Sequence, residues 1–173
     1  RVFDRIERGS VPVISALKGA VVGGGLELAA MTHIRVADES AFYALPEGRH
    51  GIFVGGGASV RVPRLIGVPR MVDMMLTGRR YTAEEGAAIG LSQYVVAQGE
   101  ARKTALELAA KVAEVAPQTV FAVLQVLPRI AEADPDVGFL MESLTAAIAQ
   151  GTDDAKQRMR TFLDGRGRKV TDQ

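Results

Sequence analysis

The chain has 173 residues, of which 47% are hydrophobic, and this is typical of one globular domain with a single core. Its 21 Lys and Arg residues almost balance its 20 Asp and Glu residues, so the net charge of +1 argues against nucleic acid or an anionic membrane as the main partner. The chain has no cysteine, which excludes disulfides, thiol catalysis and thiolate metal ligands.

The first hundred residues combine signals for strands and helices. VFDRIERG predicts the end of a helix, and GASVRVPRLIG and RMVDMMLTG predict short helices closed by glycine. Thr82 stands three residues before Glu85, a capping-box spacing that predicts the start of a helix in TAEEGAAIG. Apolar, β-branched and aromatic runs predict strands in PVISALKG, HIRVAD, AFYALP and SQYVVA.

From Glu100 onward the apolar spacing becomes helical. Pro117, Pro135 and Gly151 separate the predicted helices ARKTALELAAKVAEVA, QTVFAVLQVLPRIAEA, VGFLMESLTAAIAQG and DDAKQRMRTFLDG. We therefore predict an α/β fold in one domain, with residues 1–98 forming the core and residues 99–173 forming a helical lid or oligomerisation region.

Three consecutive glycines, Gly23 to Gly25, separate strand-like residues from the helical run LELAAM. Free N–H groups at such a strand-to-helix junction, together with the helix dipole, favour the binding of negative charge. The stretch is not a P-loop, since no lysine follows, nor a dinucleotide fingerprint, since Leu28 takes the place of the last glycine. The alternative is that these glycines only let the helix pack closely on the strand.

Two glutamates follow apolar runs. Glu27 stands between Leu26 and Leu28 on a helix that should face the core, where a carboxylate is costly unless it is paired or used. Glu47 comes directly after AFYALP, where spacing alone favours a surface loop. If both carboxylates faced one pocket, they could divide the roles of acid and base.

A family resemblance rests on these same residues. PVISALKGAVVGGGLELAAMTHIRVADESAFYALPEGRHGIF and the later GGGASVRVPRLIG resemble the central signature of the enoyl-CoA hydratase/isomerase (crotonase) family. The likeness continues through MMLTGRRYTAEEGAAIGLSQYVV to the terminal helices. It implies a crotonase-like spiral of ββα units with a C-terminal helical trimerisation region, and an assembly into homotrimers or hexamers.

The resemblance also implies roles for individual residues. Gly24 would form an oxyanion hole, its N–H donating to the thioester carbonyl oxygen of an acyl-CoA, and one good donor of this kind contributes about 3 kcal/mol. Glu27 and Glu47 would be the catalytic pair that holds a water over the C2=C3 bond. The remaining substrate-binding positions implied in the same way are Val22, Gly23, Pro46 and Gly55, the last as a backbone donor near that water.

Because both glutamates are present, the resemblance favours an enoyl-CoA hydratase, which adds water reversibly to trans-2-enoyl-CoA. Coenzyme A would be part of the substrate, and no separate cofactor is expected. Other enolate chemistry of the family, by an isomerase, dehydratase or lyase, stays open. The family's second oxyanion donor would fall before Arg1, so we expect that the N-terminal portion is missing; the alternative is a truncated noncatalytic subunit.

Other kinds of site find less support. His33 and His50 have no second histidine at ligand spacing, so we expect no metal and a structural, hydrogen-bonded role for His33. No G-x-S-x-G elbow of a serine hydrolase occurs. Arg166 and Lys169 in the basic tail are weak candidates for contacts with the CoA phosphates. The apolar runs fall short of the roughly 18 residues of a membrane span, and we expect a cytoplasmic protein without membrane or nucleic-acid partners.

Overall fold

A computed structural model describes residues 2–166, and the chain divides into two compact units between Ala113 and Glu114. The strands are β1 (Ile14–Leu17), β2 (Ala20–Val22), β3 (Ile34–Asp38), β4 (Phe42–Ala44), β5 (Tyr81–Thr82) and β6 (Tyr94–Val96). The helices of the first unit are α1 (Val2–Glu7), α2 (Gly24–Ala29), α3 (Ala58–Ile66), α4 (Val68–Thr77), α5 (Ala83–Ile89) and α6 (Ala101–Ala113), with a 3-10 turn at Pro46–His50.

The strands of the first unit form two three-stranded sheets. In one sheet β3 lies between β1 and β6, and all three strands are parallel. In the other, β4 pairs with β2 in parallel and with β5 antiparallel. Val22 is the register partner of Ala44, so β2 and β4 end side by side. The chain segments that follow these two strands therefore begin next to each other, and they carry Glu27 and Glu47.

The main hydrophobic core lies beneath these segments. Leu26 of α2 is fully buried in it, together with Tyr43 and Leu45 from β4 and the residue after it. Helices α3 and α4 contribute apolar faces to the same cluster, including Val62 and Met74. A second, smaller cluster joins Val36 of β3 to α6. The core thus holds α2 in place by burying one side of the helix. Glu27, the polar side chain of α2, therefore stands on a fixed helix.

The described secondary structure of the second unit is entirely helical. It contains α7 (Pro117–Phe121), a π-helical turn (Ala122–Val126), α8 (Leu127–Glu132), α9 (Pro135–Gly151) and α10 (Asp153–Leu163). Pro128 has no N–H to donate to the carbonyl of Leu124, which accounts for the break in α-helical bonding here. Among residues 114–166 only Gly138 is buried, so these helices have no buried core of their own.

Most of the elements predicted from the sequence are present. The predicted capping box is confirmed, since Thr82 accepts from the Glu85 N–H while the Glu85 side chain accepts from the Thr82 N–H. Two strands were not predicted, β2 and β5, because three and two residues are too few for a periodic pattern. The run QTVFAVLQVLPRIAEA, predicted as one helix, is divided by the π-helical turn.

The predicted boundary between residues 98 and 99 differs from the division seen in the structure. Helix α6 packs on β1 and β3 and belongs to the first unit, so the compact units divide one helix later in the chain. Whether both regions form one domain stays a prediction.

Among residues 2–166 no single helix is long and apolar enough to span a membrane. The helices of Ala101–Ala113 and Pro117–Glu132 meet the criterion of length and composition only when they are taken together as a bent pair.

Candidate active site

The glycine turn between β2 and α2 has a backbone that only glycine adopts readily. Gly23 has φ 54° and ψ −122°, and its N–H donates to the Ala44 carbonyl at 3.0 Å, which ties the turn to the end of β4. Gly24 begins α2 and is exposed, and beyond its chain neighbours and its own helix backbone nothing lies within 4 Å of the position that a Cβ would take. The first N–H groups of a helix have no acceptor within it. The Gly24 N–H therefore stands at an open surface that another molecule can approach.

Glu27 is buried, with 8% of its surface exposed. Its Oε1 accepts hydrogen bonds from the N–H of Gly56 at 2.8 Å and of Ala58 at 3.3 Å. These donors lie in the second glycine cluster and at the start of α3, about thirty residues along the chain. The predicted costly carboxylate on the core side of α2 is thus confirmed as buried, and two backbone donors compensate for its burial.

Glu47 lies against the glycine turn. A Cβ placed on Gly23 would be 2.9 Å from Glu47 Oε1, so the carboxylate packs where a side chain at Gly23 would stand. The other oxygen, Oε2, is buried and has no hydrogen-bond partner among residues 2–166. Spacing alone favours a surface loop, and Glu47 does stand in a 3-10 turn next to exposed residues, but its side chain is half-buried because the pairing of β2 with β4 brings this turn back onto Gly23.

The glycine turn is linked to the side chain of Glu47 and to the backbone of Glu27. Glu47 contacts Gly23 with its side chain, while the Glu27 N–H donates to the Gly23 carbonyl at 2.9 Å and anchors the helix on which Glu27 stands. Gly24, which carries the open N–H, stands between Gly23 and Glu27 in the sequence. The Glu47 carboxylate and the Gly24 N–H thus stand at the glycine turn, and Glu27 stands on the helix that begins there. Carboxylates can move protons, and a backbone donor can stabilise a negative oxygen.

The other predicted site residues occupy neighbouring positions. Val22 is half-buried at the end of β2, and Pro46 is half-buried at the start of the 3-10 turn. Gly55 is exposed, and the donor to Glu27 is its neighbour Gly56, which sequence reasoning missed. The repeated glycines were the available signal, but nothing in the sequence indicates which of them faces Glu27.

The remaining candidates are Arg166, Lys169 and His33. Arg166, in the second unit, pairs with Asp164 at 2.6 Å, and Lys169 lies outside the described residues. The structural role predicted for His33 is confirmed, since its Nδ1 accepts from the Val13 N–H at 2.9 Å and its Nε2 lies 3.3 Å from the Glu7 carbonyl oxygen. Within residues 2–166 no group of three His, Cys, Asp or Glu side chains is arranged to hold a metal ion.

The chain is similar in sequence to known proteins. Residues 1–173 match the family described as enoyl-CoA hydratase/isomerase. The chain is 34% identical to a short-chain-enoyl-CoA hydratase of Clostridium acetobutylicum over 96% of this chain and 64% of that protein. It is 43% identical to a fatty acid oxidation complex subunit alpha of Shewanella loihica over 62% of this chain but 16% of that subunit.

A solved structure from Rhodopseudomonas palustris CGA009, provisionally named an enoyl-CoA hydratase, is 65% identical, with a TM-score of 0.93 over 95% of this chain and 64% of that one. The likeness confirms the predicted fold class, an α/β crotonase-like core with C-terminal helices. The chain spans less than two thirds of the length of these relatives.

Proposed function

This chain belongs to the enoyl-CoA hydratase/isomerase family, and from that membership we propose that the protein adds water reversibly to the double bond of a trans-2-enoyl-CoA. The observation that carries this proposal is the arrangement of Glu47, whose Oε2 is buried without a partner while Oε1 packs on the glycine turn. A buried carboxylate oxygen in this state needs a hydrogen-bond partner, and a reacting water supplies one.

Gly24 provides the electrostatic part of the proposed reaction. Hydration develops negative charge on the thioester carbonyl oxygen as water adds to the conjugated double bond. The Gly24 N–H, at the start of α2 and open to solvent, would donate to that oxygen. A fixed donor of this kind contributes about 3 kcal/mol to the stability of the transition state.

The two glutamates would handle the protons. The water oxygen forms a bond with C3, one carboxylate takes a proton from that water, and the electron pair of C2=C3 moves toward the thioester to form an enolate. The other carboxyl group delivers a proton to C2 as the enolate collapses, so the net change is H at C2 and OH at C3. Glu27 is fixed by two amide donors and Glu47 has an oxygen without a partner among the described residues, which supports the proposal that the two hold one water between them.

The substrate would make further contacts around this turn. We propose that Val22, Gly23 and Pro46 line the acyl part of the site and that Gly55 presents a backbone donor near the water. Coenzyme A would enter as part of the substrate, so no separate cofactor takes part. Arg166 and Lys169 stay predictions as contacts for its phosphates.

We also propose a homotrimer or hexamer. Helices α7 to α10 have no buried residue except Gly138 among those described, while large apolar side chains such as Phe139, Leu144 and Ile148 are more than half exposed. Exposed apolar surface of this extent is typical of protein contact sites. Sedimentation of the protein tests this proposal: a monomer across the working concentration range would contradict it.

The activity is tested by following the loss of the conjugated enoyl-thioester absorbance with crotonyl-CoA, and by identifying the product. We expect 3-hydroxybutyryl-CoA, and we expect Glu47→Gln to lower kcat by about 10²-fold to 10⁴-fold. Glu84→Gln is the matched control, because Glu84 is an exposed glutamate in the first turn of α5 and has no proposed role in the reaction. Binding of acyl-CoA without hydration would instead favour isomerase or lyase chemistry, and the absence of binding would favour a noncatalytic subunit.

A further inference from the structure

Arg61 of α3 lies behind the loop that holds Glu27. Only 11% of its side chain is exposed. Its Nη2 forms an ion pair with Glu7 Oε2 at 2.5 Å and lies 3.4 Å from Asp4 Oδ1, so α1 supplies the counter-charge. The hydrogen bond with Glu7 raises the pKa of the Arg61 guanidinium, which therefore stays charged. An arginine whose guanidinium is buried and held by carboxylates through one nitrogen can hold a backbone group in place through its other nitrogen.

That other side meets the second glycine cluster. Arg61 Nη1 donates to the Gly56 carbonyl at 3.4 Å. The same nitrogen packs so closely on Gly57 that a Cβ there would overlap it, and Gly57 has φ 103°, a conformation that favours glycine. The Arg61 guanidinium thus contacts both Gly56 and Gly57. These close contacts are possible because neither residue has a side chain.

Gly56 links this support to Glu27. Its carbonyl accepts from Arg61 while its N–H donates to Glu27 Oε1 at 2.8 Å. On the front of the loop, a Cβ at Gly56 would meet the Glu27 carboxylate, with Oε2 at 2.5 Å. The Gly56 N–H therefore orients the Glu27 carboxylate through its hydrogen bond to Oε1. The Arg61 guanidinium in turn holds the backbone of Gly56 through the Gly56 carbonyl.

We propose that Arg61, held by Glu7, is a positioning residue for Glu27, acting through the backbone of Gly56 in the hydration reaction. This inference rests on the proposed function only for its effect on turnover. Displacement of a catalytic group by about 1 Å can lower a rate by about 10²-fold. Loss of the guanidinium is expected to lower kcat by about tenfold or more and to leave KM almost unchanged, because the hydrogen bonds given for Arg61 go to Gly56, Asp4 and Glu7 and not to the proposed substrate-binding residues.

The kinetic test compares Arg61→Met with Arg70→Met in the full-length protein. Arg70 also donates to a backbone carbonyl, that of Ile66, but it contacts neither glutamate, so Arg70→Met controls for the loss of an arginine. Each substitution is repeated in a Glu27→Gln background. If Arg61 acts through Glu27, Arg61→Met adds no further loss in that background. An equal loss of kcat in both backgrounds would overturn the proposal.

A second readout does not require turnover. In protein labelled with ¹⁵N-glycine, the Gly56 amide signal is identified by its disappearance in Gly56→Ala. Arg61→Met is expected to move the Gly56 amide proton toward its position in Glu27→Ala, as the hydrogen bond to Oε1 weakens. An unchanged shift would refute the positioning role even if the protein proves inactive on crotonyl-CoA, an outcome that would refute the proposed hydration separately.

Glu7→Gln provides a milder variant should Arg61→Met fail to fold. Glu7 is about one third exposed, and glutamine keeps its length while it removes the charge that holds the guanidinium. We expect a smaller change of the same sign in kcat and in the Gly56 shift. Wild-type values of both would count against the proposal.

Discussion

Gly56→Ala is a direct test of how the position of Glu27 affects turnover. A Cβ at residue 56 would lie 2.5 Å from Glu27 Oε2 and 2.9 Å from its Cδ, whereas ordinary contacts begin at 3.4 Å. The oxygen must therefore retreat from 2.5 Å to 3.4 Å, a displacement of about 0.9 Å, and Cδ by about 0.5 Å. Phe3 Cε2 lies 3.0 Å from the same Cβ position, so the loop has little room to move away from Glu27 and relieve the contact.

A displacement of this size predicts a large kinetic effect and a small effect on stability. Misplacement by about 1 Å costs about 10²-fold in rate, so we expect kcat to fall by roughly tenfold to a hundredfold. The backbone of Gly56 is outside the positive-φ region that disfavours alanine, so the free energy of unfolding should change by only about 1–2 kcal/mol through crowding.

The assay measures kcat with crotonyl-CoA together with urea unfolding at equilibrium. Gly151→Ala is the matched control, since Gly151 has no positive φ and no atom within 4 Å of its Cβ position, and it lies in the second unit. It should retain the wild-type rate. Normal kcat in a folded Gly56→Ala protein would refute the reasoning that the tight contact between Gly56 and Glu27 sets the catalytic geometry.

Two further predictions concern stability. Asp38 is 2% exposed, and the hydrogen bond from Ser40 Oγ, followed by those from the N–H groups of Gly99 and Ser40, lowers its pKa below the ordinary 3.8. A lowered folded pKa stabilises the protein above the unfolded pKa. Because loss of hydrogen bonds to a buried charged acceptor costs about 2 kcal/mol, Asp38→Asn should cost about that much at pH 7. The difference should shrink as the pH falls below about 4, and a constant difference in urea unfolding would contradict this. Thr82→Ala removes the capping box and should lower the unfolding free energy by about 1 kcal/mol at wild-type kcat; no change in the urea midpoint would argue against the cap.

The local part of the site could be predicted from the sequence. The three glycines before LELAAM predict an open helix start, and Leu26 and Leu28 beside Glu27 indicate a carboxylate that enters the core. Both inferences need only a few neighbouring residues, because helix geometry relates residues close in sequence. The structure agrees with them: Gly24 begins α2, and Glu27 is buried.

The contacts that complete the site could not be predicted in the same way. The position of Glu47 depends on the pairing of Val22 with Ala44, and β2 has too few residues to be recognised by its pattern. The donor to Glu27 lies 29 residues away in sequence. Which glycine of a cluster turns its N–H toward a distant carboxylate is decided by tertiary packing, here including Arg61, and local propensity carries no information on it.

The unequal support of the two glutamates bears on their proposed roles. Glu27 Oε1 has two backbone donors, which fix the direction of its carboxylate before any substrate arrives. Glu47 Oε2 has none among the described residues, although its surface is buried. A buried carboxylate oxygen without a partner destabilises the fold, so a bound molecule that donates to Glu47 Oε2 would offset that cost. A water shared with Glu27 would satisfy Glu47 and supply the nucleophile for C3, while the Gly24 N–H would bind the thioester oxygen on which charge develops.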